Sequence, residues 1–266
     1  MPERTGKMKS SSELRLAVLI DAENVPYSNI RGVLEELAKY GIPTIKRIYG
    51  DWTKPAMSGW KKELLENAIT PIQQYSYTSG KNSSDSAMII DAMDILYSEK
   101  VEGFCIISSD SDFTRLVVRL REAGMKVFGI GERKTPNPFI VACDKFTYLE
   151  IIQAASDGPE IEPSENQDVQ KGDNISVKTL NNAIVKINEE QINLIASSVS
   201  AVADENGWAF LADVGNMILK KQPDFDARNF GFAKLTPLIK HLKRFEIDER
   251  DSGNNRIKHI YVRNKK

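Results

Sequence analysis

The sequence predicts an α/β fold: a parallel sheet sandwiched by helices, followed by a small winged-helix-like α+β domain. Three observations predict it. Apolar runs of strand length alternate with helical periodicity through residue 150, the pattern of right-handed βαβ units. Residues 156–173 hold two prolines, two glycines and an acidic excess without apolar periodicity, and read as a solvated linker. Beyond them, three helical segments are closed by two alternating runs around Asp251-Ser-Gly-Asn-Asn255, a β-hairpin signal.

Each element follows from local signals. Leu16-Ala-Val-Leu-Ile20 is an unbroken apolar run, as expected of a strand covered on both faces. Tyr27 to Tyr40 places Ile30, Val33, Leu34 and Leu37 on one helical face. Thr44 to Tyr49 reads as a strand, Ser58 to Ala68 as a helix, Ile72 to Tyr75 as a short extended piece, and Ser84 to Tyr97 as a strong helix. Phe104 to Ile107, a helix from Phe113 to Ala123, and Lys126 to Ile130 complete the pattern. Gly41 and Gly124 follow helical segments and precede strands, the expected position of glycines that end helices. After the linker, helices are expected at about Glu189 to Glu205, from Gly207-Trp-Ala-Phe-Leu211 on to Lys221, and at Leu235 to Leu242. Trp208, Phe210, Val214, Leu219, Phe225, Phe232 and Leu235 read as this domain's core, and Gly231 as a tight turn. The expected organisation is a tail at 1–13, an α/β domain at 14–152, a linker at 153–186 and a C-terminal domain at 187–263.

Composition narrows the class. At 266 residues, 41% hydrophobic and 27% charged, the chain is long enough for two modest soluble domains. Cys105 and Cys143 sit in apolar surroundings without metal-ligand spacing and read as buried thiols, not a disulfide framework. Residues 1–12 read as a loose polar tail, and no apolar run approaches a membrane span, so a cytoplasmic protein is expected. Basic and acidic residues number 20 and 20 in 1–155, 1 and 6 in 156–173, and 15 and 11 in 174–266. The C-terminal part is thus basic by four, which suits nucleic acid without establishing it.

The chemistry lies in four carboxylates. Asp21 follows the first apolar run directly, Asp110 and Asp112 follow Phe104-Cys-Ile-Ile107 through Ser108-Ser109, and Asp85 opens an apolar helix. Carboxyl ends of parallel strands are where open α/β sheets bind ligands. Asp21 and the Ser-Asp-Ser-Asp run also suit helix caps, and Asp85 suits the positive end of a helix dipole. Their position at the ends of central strands favours a shared site. Converging carboxylates repel one another and resist ionising unless a cation joins them, and hard oxygen ligands favour Mg²⁺ or Mn²⁺. Asn24 suits a neutral donor that orients water or a carboxylate. Asp91 lies about 240° round the helix from Asp85 and reads as a supporting residue at most. His241 and His259 read as packing or surface groups.

Asp21-Ala-Glu-Asn24, Lys81-Asn-Ser-Ser-Asp85 and Ile106-Ile-Ser-Ser-Asp-Ser-Asp-Phe113 resemble the NYN domains, a branch of the PIN-like nucleases, over residues 14 to 150. The resemblance implies a PIN-like fold, an acidic metal site of Asp21, Asp85, Asp110 and Asp112 with Asn24 beside it, and metal-dependent RNA hydrolysis. Lys81, Arg133 and Lys134, with Lys54, Lys61 and Lys62 near Trp52 and Trp60, are candidate phosphate contacts around the mouth of the site. Taken singly, each reads first as an ordinary solvated surface charge.

Gly207-Trp-Ala-Phe-Leu-Ala-Asp-Val-Gly215, Pro223-Asp-Phe-Asp-Ala-Arg-Asn-Phe-Gly231 and the closing Ile257-Lys-His-Ile-Tyr-Val262 resemble an OST-HTH domain, also called LOTUS. This resemblance implies RNA binding, single-stranded or structured and G-rich, and in some members a protein partner. Lys220, Lys221, Arg228 and Lys234, with Lys240, Lys243 and Arg244, are the candidate RNA contacts. A homo-oligomer is also consistent with the sequence. The reading is a metal-dependent ribonuclease, an endonuclease, with a noncatalytic RNA-binding adaptor as the alternative. A haloacid-dehalogenase-like phosphatase ranks lower, because it needs Asp-x-Asp where this chain has Asp21-Ala-Glu23.

Overall fold

The computed structural model describes residues 13–75, 83–156, 185–251 and 258–265. Residues 1–12, Lys81, most of the expected linker and turn residues 252–255 lie outside the described residues. In the first domain, β1 (Arg15–Asp21), β2 (Ile42–Gly50), β3 (Thr70–Gln73), β4 (Gly103–Ile107), β5 (Lys126–Gly131) and β6 (Lys145–Tyr148) form one sheet in the order β3-β2-β1-β4-β5-β6. β1 pairs in parallel with both β2 and β4, and every residue of β1 after Arg15 is buried. That burial is why the run Leu16–Ile20 shows no polar alternation. The helices are α1 (Ile30–Leu37), α2 (Trp60–Glu66), α3 (Ser83–Tyr97), α4 (Thr114–Glu122), α5 (Asn137–Ala142) and α6 (Leu149–Ser156). The strand order reverses between β1 and β4, which opens a crevice at their carboxyl ends.

Differences from expectation are local. The helix expected from Tyr27 begins as a 3₁₀ turn at Tyr27–Asn29, because Pro26 enters in extended geometry, and its α-helical part ends at Leu37. A similar 3₁₀ turn at Pro55–Gly59 precedes α2. β6 and its flanking helices were not foreseen from the periodicity. Gly124 ends α4 as expected: its φ is +84°, its N–H reaches Arg121 O at 2.9 Å and the Met125 N–H reaches Leu120 O at 3.1 Å, a Schellman arrangement. Gly41 serves differently. It has no positive φ, but a Cβ there would lie 2.2 Å from Leu14 O, so glycine is required by the approach of two backbones. Gly41→Ala is expected to cost about 1–3 kcal/mol by denaturant titration, and an unchanged midpoint would contradict this close approach.

The C-terminal domain contains α7 (Glu189–Val202), β7 (Ala209–Phe210), α8 (Leu211–Lys221), α9 (Leu235–His241), β8 (Phe245–Asp251) and β9 (Lys258–Asn264). Asn188 and Gln191 form a capping box that starts α7. The three strands run in the order β7-β9-β8, with antiparallel pairing. Ile195, Val199, Ala209, Leu211, Val214, Ile218, Phe225, Ala227, Leu238, Ile239, Phe245 and Val262 are the core. Gly231 turns with φ +81°, as expected. Trp208, Phe210 and Leu219 are not in that core: all three are half-buried, and the two aromatic residues lie on the opposite face of the sheet from Ala209 and Val262. Among the described residues, no helix is long and apolar enough to cross a membrane.

Candidate active site

The register of β1 against β4 pairs Ile20 with Ile107, so the next residues, Asp21 and Ser108, meet at the crevice. The Ser108 hydroxyl donates to Asp21 Oδ2 at 2.9 Å, Asn24 Nδ2 donates to the same oxygen at 2.5 Å, and the Glu23 N–H donates to Oδ1 at 3.0 Å. Asp21 is 2% exposed. Burial raises its pKa above the ordinary carboxylate range, and the three hydrogen bonds only partly oppose this.

After Ser108, the chain turns through a 3₁₀ segment, Ser111–Phe113, into α4, with Phe113 fully buried as its anchor. Ser109 Oγ accepts from the Glu132 N–H at 2.8 Å, which ties this loop to the end of β5. Asp110 and Asp112 project from the loop, and Asp85, 9% exposed, comes from the first turn of α3. One carboxylate oxygen from each of Asp85, Asp110 and Asp112 lies within 4.8 Å of the others. Oxygens bound to one Mg²⁺, Mn²⁺ or similar ion at about 2.1–2.4 Å span no more than about 4.8 Å, so these three donors fit a hard divalent cation. Asp21 falls outside this trio; its partner Ser108 precedes Asp110 by two residues in the chain.

Asp91 does not face this site. It accepts from the Arg47 guanidinium and the buried Tyr49 hydroxyl, which fastens the middle of α3 to β2. Carboxylate and burial together push the Tyr49 phenol pKa well above its usual value, burial first. Neither this network nor the Ser108 to Asp21 bond has a sequence signal, since the partners lie 42 to 87 residues apart.

The basic candidates are placed as follows. Arg133 is half-buried, its guanidinium 5.1 Å from the centroid of the Tyr148 ring and its N–H on Glu150. Lys134 pairs with Glu132 at 2.6 Å, and Lys54 with Glu23 at 2.8 Å. Lys61 is exposed, and Trp60 is core at 2% exposure. In the second domain, Lys220, Lys221 and Lys234 are exposed, whereas Arg228 is held by Asp226 at 2.7 Å. His241 packs on Phe232 and His259 on Phe210.

The burial of Asp21 carries a stability consequence. Because its folded pKa is raised, the native state holds a proton that the unfolded state releases; the stability this group lends is full below the ordinary carboxylate range and lost as pH rises through the raised value. Asp21→Asn, melted in chelator, is therefore expected to gain stability over the parent as pH rises from about 4 to 8. A parallel pH dependence for both proteins would contradict the burial argument.

The NYN domain model matches residues 15–150, and the OST-HTH/LOTUS domain model matches residues 183–257. NYN domains are a PIN-like nuclease family, and OST-HTH domains bind RNA. A protein of unknown function from Vibrio parahaemolyticus is 21% identical, with 53% of this chain and 96% of that one covered at a TM-score of 0.44. An uncharacterized Nitrosomonas europaea protein is 25% identical over 41% of this chain and 92% of its own, at 0.29. A Chromobacterium violaceum structure of residues 175–257 is 32% identical over 31% and 86%, at 0.24. No curated protein is a significant match.

Proposed function

Because the chain belongs to the NYN domain family and carries an OST-HTH/LOTUS domain, we propose that it is a metal-dependent ribonuclease. It hydrolyses RNA phosphodiester bonds at the acidic cluster, with RNA recruited by the C-terminal domain. The observation that carries this reading is the convergence of Asp85, Asp110 and Asp112 at the strand switch point. Those three residues would hold the ion. When bound, Mg²⁺ or Mn²⁺ supplies an activated water and neutralises charge on the scissile phosphate.

The chain's own groups do the positioning. Ser108 and Asn24 hold Asp21 at the paired ends of β1 and β4, which keeps the strand ends in register. Ser109 holds the loop that carries Asp110 and Asp112. Lys220, Lys221 and Lys234 are exposed cations suited to phosphate, and Lys81, Arg133, Lys134 and Arg228 complete the proposed RNA contacts. We assign the nuclease domain to 14–152, the linker to 153–186 and the RNA-binding domain to 187–263. Joining them on one chain raises the effective RNA concentration at the cluster. The buried thiols Cys105 and Cys143 suit the reducing cytoplasm.

The test is cleavage of end-labelled single-stranded and G-rich structured RNA by the purified full chain in Mn²⁺, Mg²⁺ or EDTA. Cleavage in either metal, absent in EDTA, is expected, and the product ladder reads endonucleolytic against exonucleolytic cutting. Binding without cleavage in both metals would replace this reading with that of an RNA-binding adaptor.

A further inference from the structure

A three-stranded sheet with one face on a core should present polar groups on the other. Here it does not. Ala209, Ile247, Ile260 and Val262 take the core side, while register places Phe210, Tyr261 and Asp248 in one row across the outer side, with His259 beside Arg250 and Arg263 beside Glu246. Trp208, two residues before Phe210, adjoins the same face: the Arg263 guanidinium lies 4.6 Å from its ring, and that of Arg250 lies 5.6 Å from it and 4.1 Å from the Tyr261 ring. Phe210 continues the row, 5.7 Å from Tyr261 and 5.4 Å from His259.

From this face, and resting on the RNA-binding reading above, we infer that the outer side of the C-terminal sheet is a stacking platform for unpaired RNA bases. Charge points to bases over phosphates. Arg250 is paired with Asp248 at 2.8 Å and Arg263 with Glu246, so the two guanidiniums bring little net attraction for a phosphate chain. Planar guanidiniums already lie against the rings, and a base takes the same position on the same π faces. The carboxylates of Asp248 and Glu246 are acceptors for exocyclic amino groups, and the guanidiniums are donors for carbonyl oxygens and ring nitrogens. Protein interfaces, by contrast, deplete charge from their centres, and here two ion pairs occupy the centre. Past Arg263 and Glu246 the face opens to a cleft of about 710 Å³ beside Asp204 and Gly207, room for one nucleotide.

The full chain is titrated in EDTA against a fluorescein-labelled, single-stranded, purine-rich oligoribonucleotide and its duplex, with anisotropy as readout. Tighter binding of the single strand is expected. Trp208→Ala and Tyr261→Thr are expected to weaken it about tenfold each, with the slope of affinity against salt unchanged because no phosphate contact is lost. Tyr261→Phe and Trp208→Phe keep a ring and should bind like the parent. Should Trp208→Ala fail to fold, Tyr261→Thr reads the same platform with a strand-forming residue. If the parent binds RNA and folded ring-less variants bind equally well, or lose affinity only through a flatter salt slope, the platform is overturned and the RNA reading stands. No RNA binding by the parent overturns both.

Discussion

Replacing Asp110 by Asn is expected to abolish metal-dependent RNA cleavage while leaving RNA binding intact. The isosteric amide keeps the shape of the loop between β4 and α4 but removes one of three converging negative charges. Loss of a partner that merely orients a metal ligand costs about 10–100-fold in affinity or activity, so loss of a ligand should exceed about 100-fold. The cost falls on the ion, not on the fold: the loop stays anchored by buried Phe113 and by Ser109 on the Glu132 N–H. Two assays check this. Cleavage in Mn²⁺ should vanish, and Mn²⁺ binding by calorimetry should weaken in parallel, with RNA anisotropy in EDTA unchanged. Undiminished cleavage would remove Asp110 from the site, and with it the cluster as the catalytic centre.

Asp91→Ala should damage both stability and the site from a distance. The substitution leaves the Tyr49 hydroxyl, on a side chain 1% exposed, without its carboxylate acceptor, and takes the Arg47 guanidinium's partner. An unsatisfied buried donor costs about 1–3 kcal/mol, and the part-exposed ion pair adds little to that. A fall in melting temperature of roughly 5–10 °C follows for a domain of this size. Because Asp91 and Asp85 share α3, loosening the helix against β2 should also weaken Mn²⁺ binding by about tenfold. Tyr49→Phe is the control: it removes the phenol and keeps the ion pair, so it should lower stability less and leave metal binding alone. Equal metal affinity in Asp91→Ala would limit this network to the fold.

Much of this was legible before any tertiary contact was known. The alternation of apolar runs and helical faces was enough for the order of elements up to β5, because buried strands and one-sided helices have distinct periods. Asp21, Asp85, Asp110 and Asp112 stood out because each sits where an element ends or begins. β6 was missed because Lys145–Tyr148 is four residues long, too short for a periodic signal. Trp208 and Phe210 were misread for a subtler reason. Size suggested core, but in a strand a one-residue change of phase exchanges the faces, and the smaller Ala209 took the inside.

The amino-acid sequence by itself determined which segments become strands and helices, that carboxylates cap the central strands, and which two families the halves belong to. Those properties reside in local periodicity and in short motifs read along the chain. Tertiary structure decided which carboxylates meet. Asp85, Asp110 and Asp112 converge because α3 and the loop after β4 end at one crevice, while Asp21 is turned into bonds with Asn24 and Ser108. It also decided that Asp91 serves β2 and that the largest aromatic residues of the second domain face outward. Strand register and helix packing set these outcomes, and they link residues whose sequence separation carries no local trace.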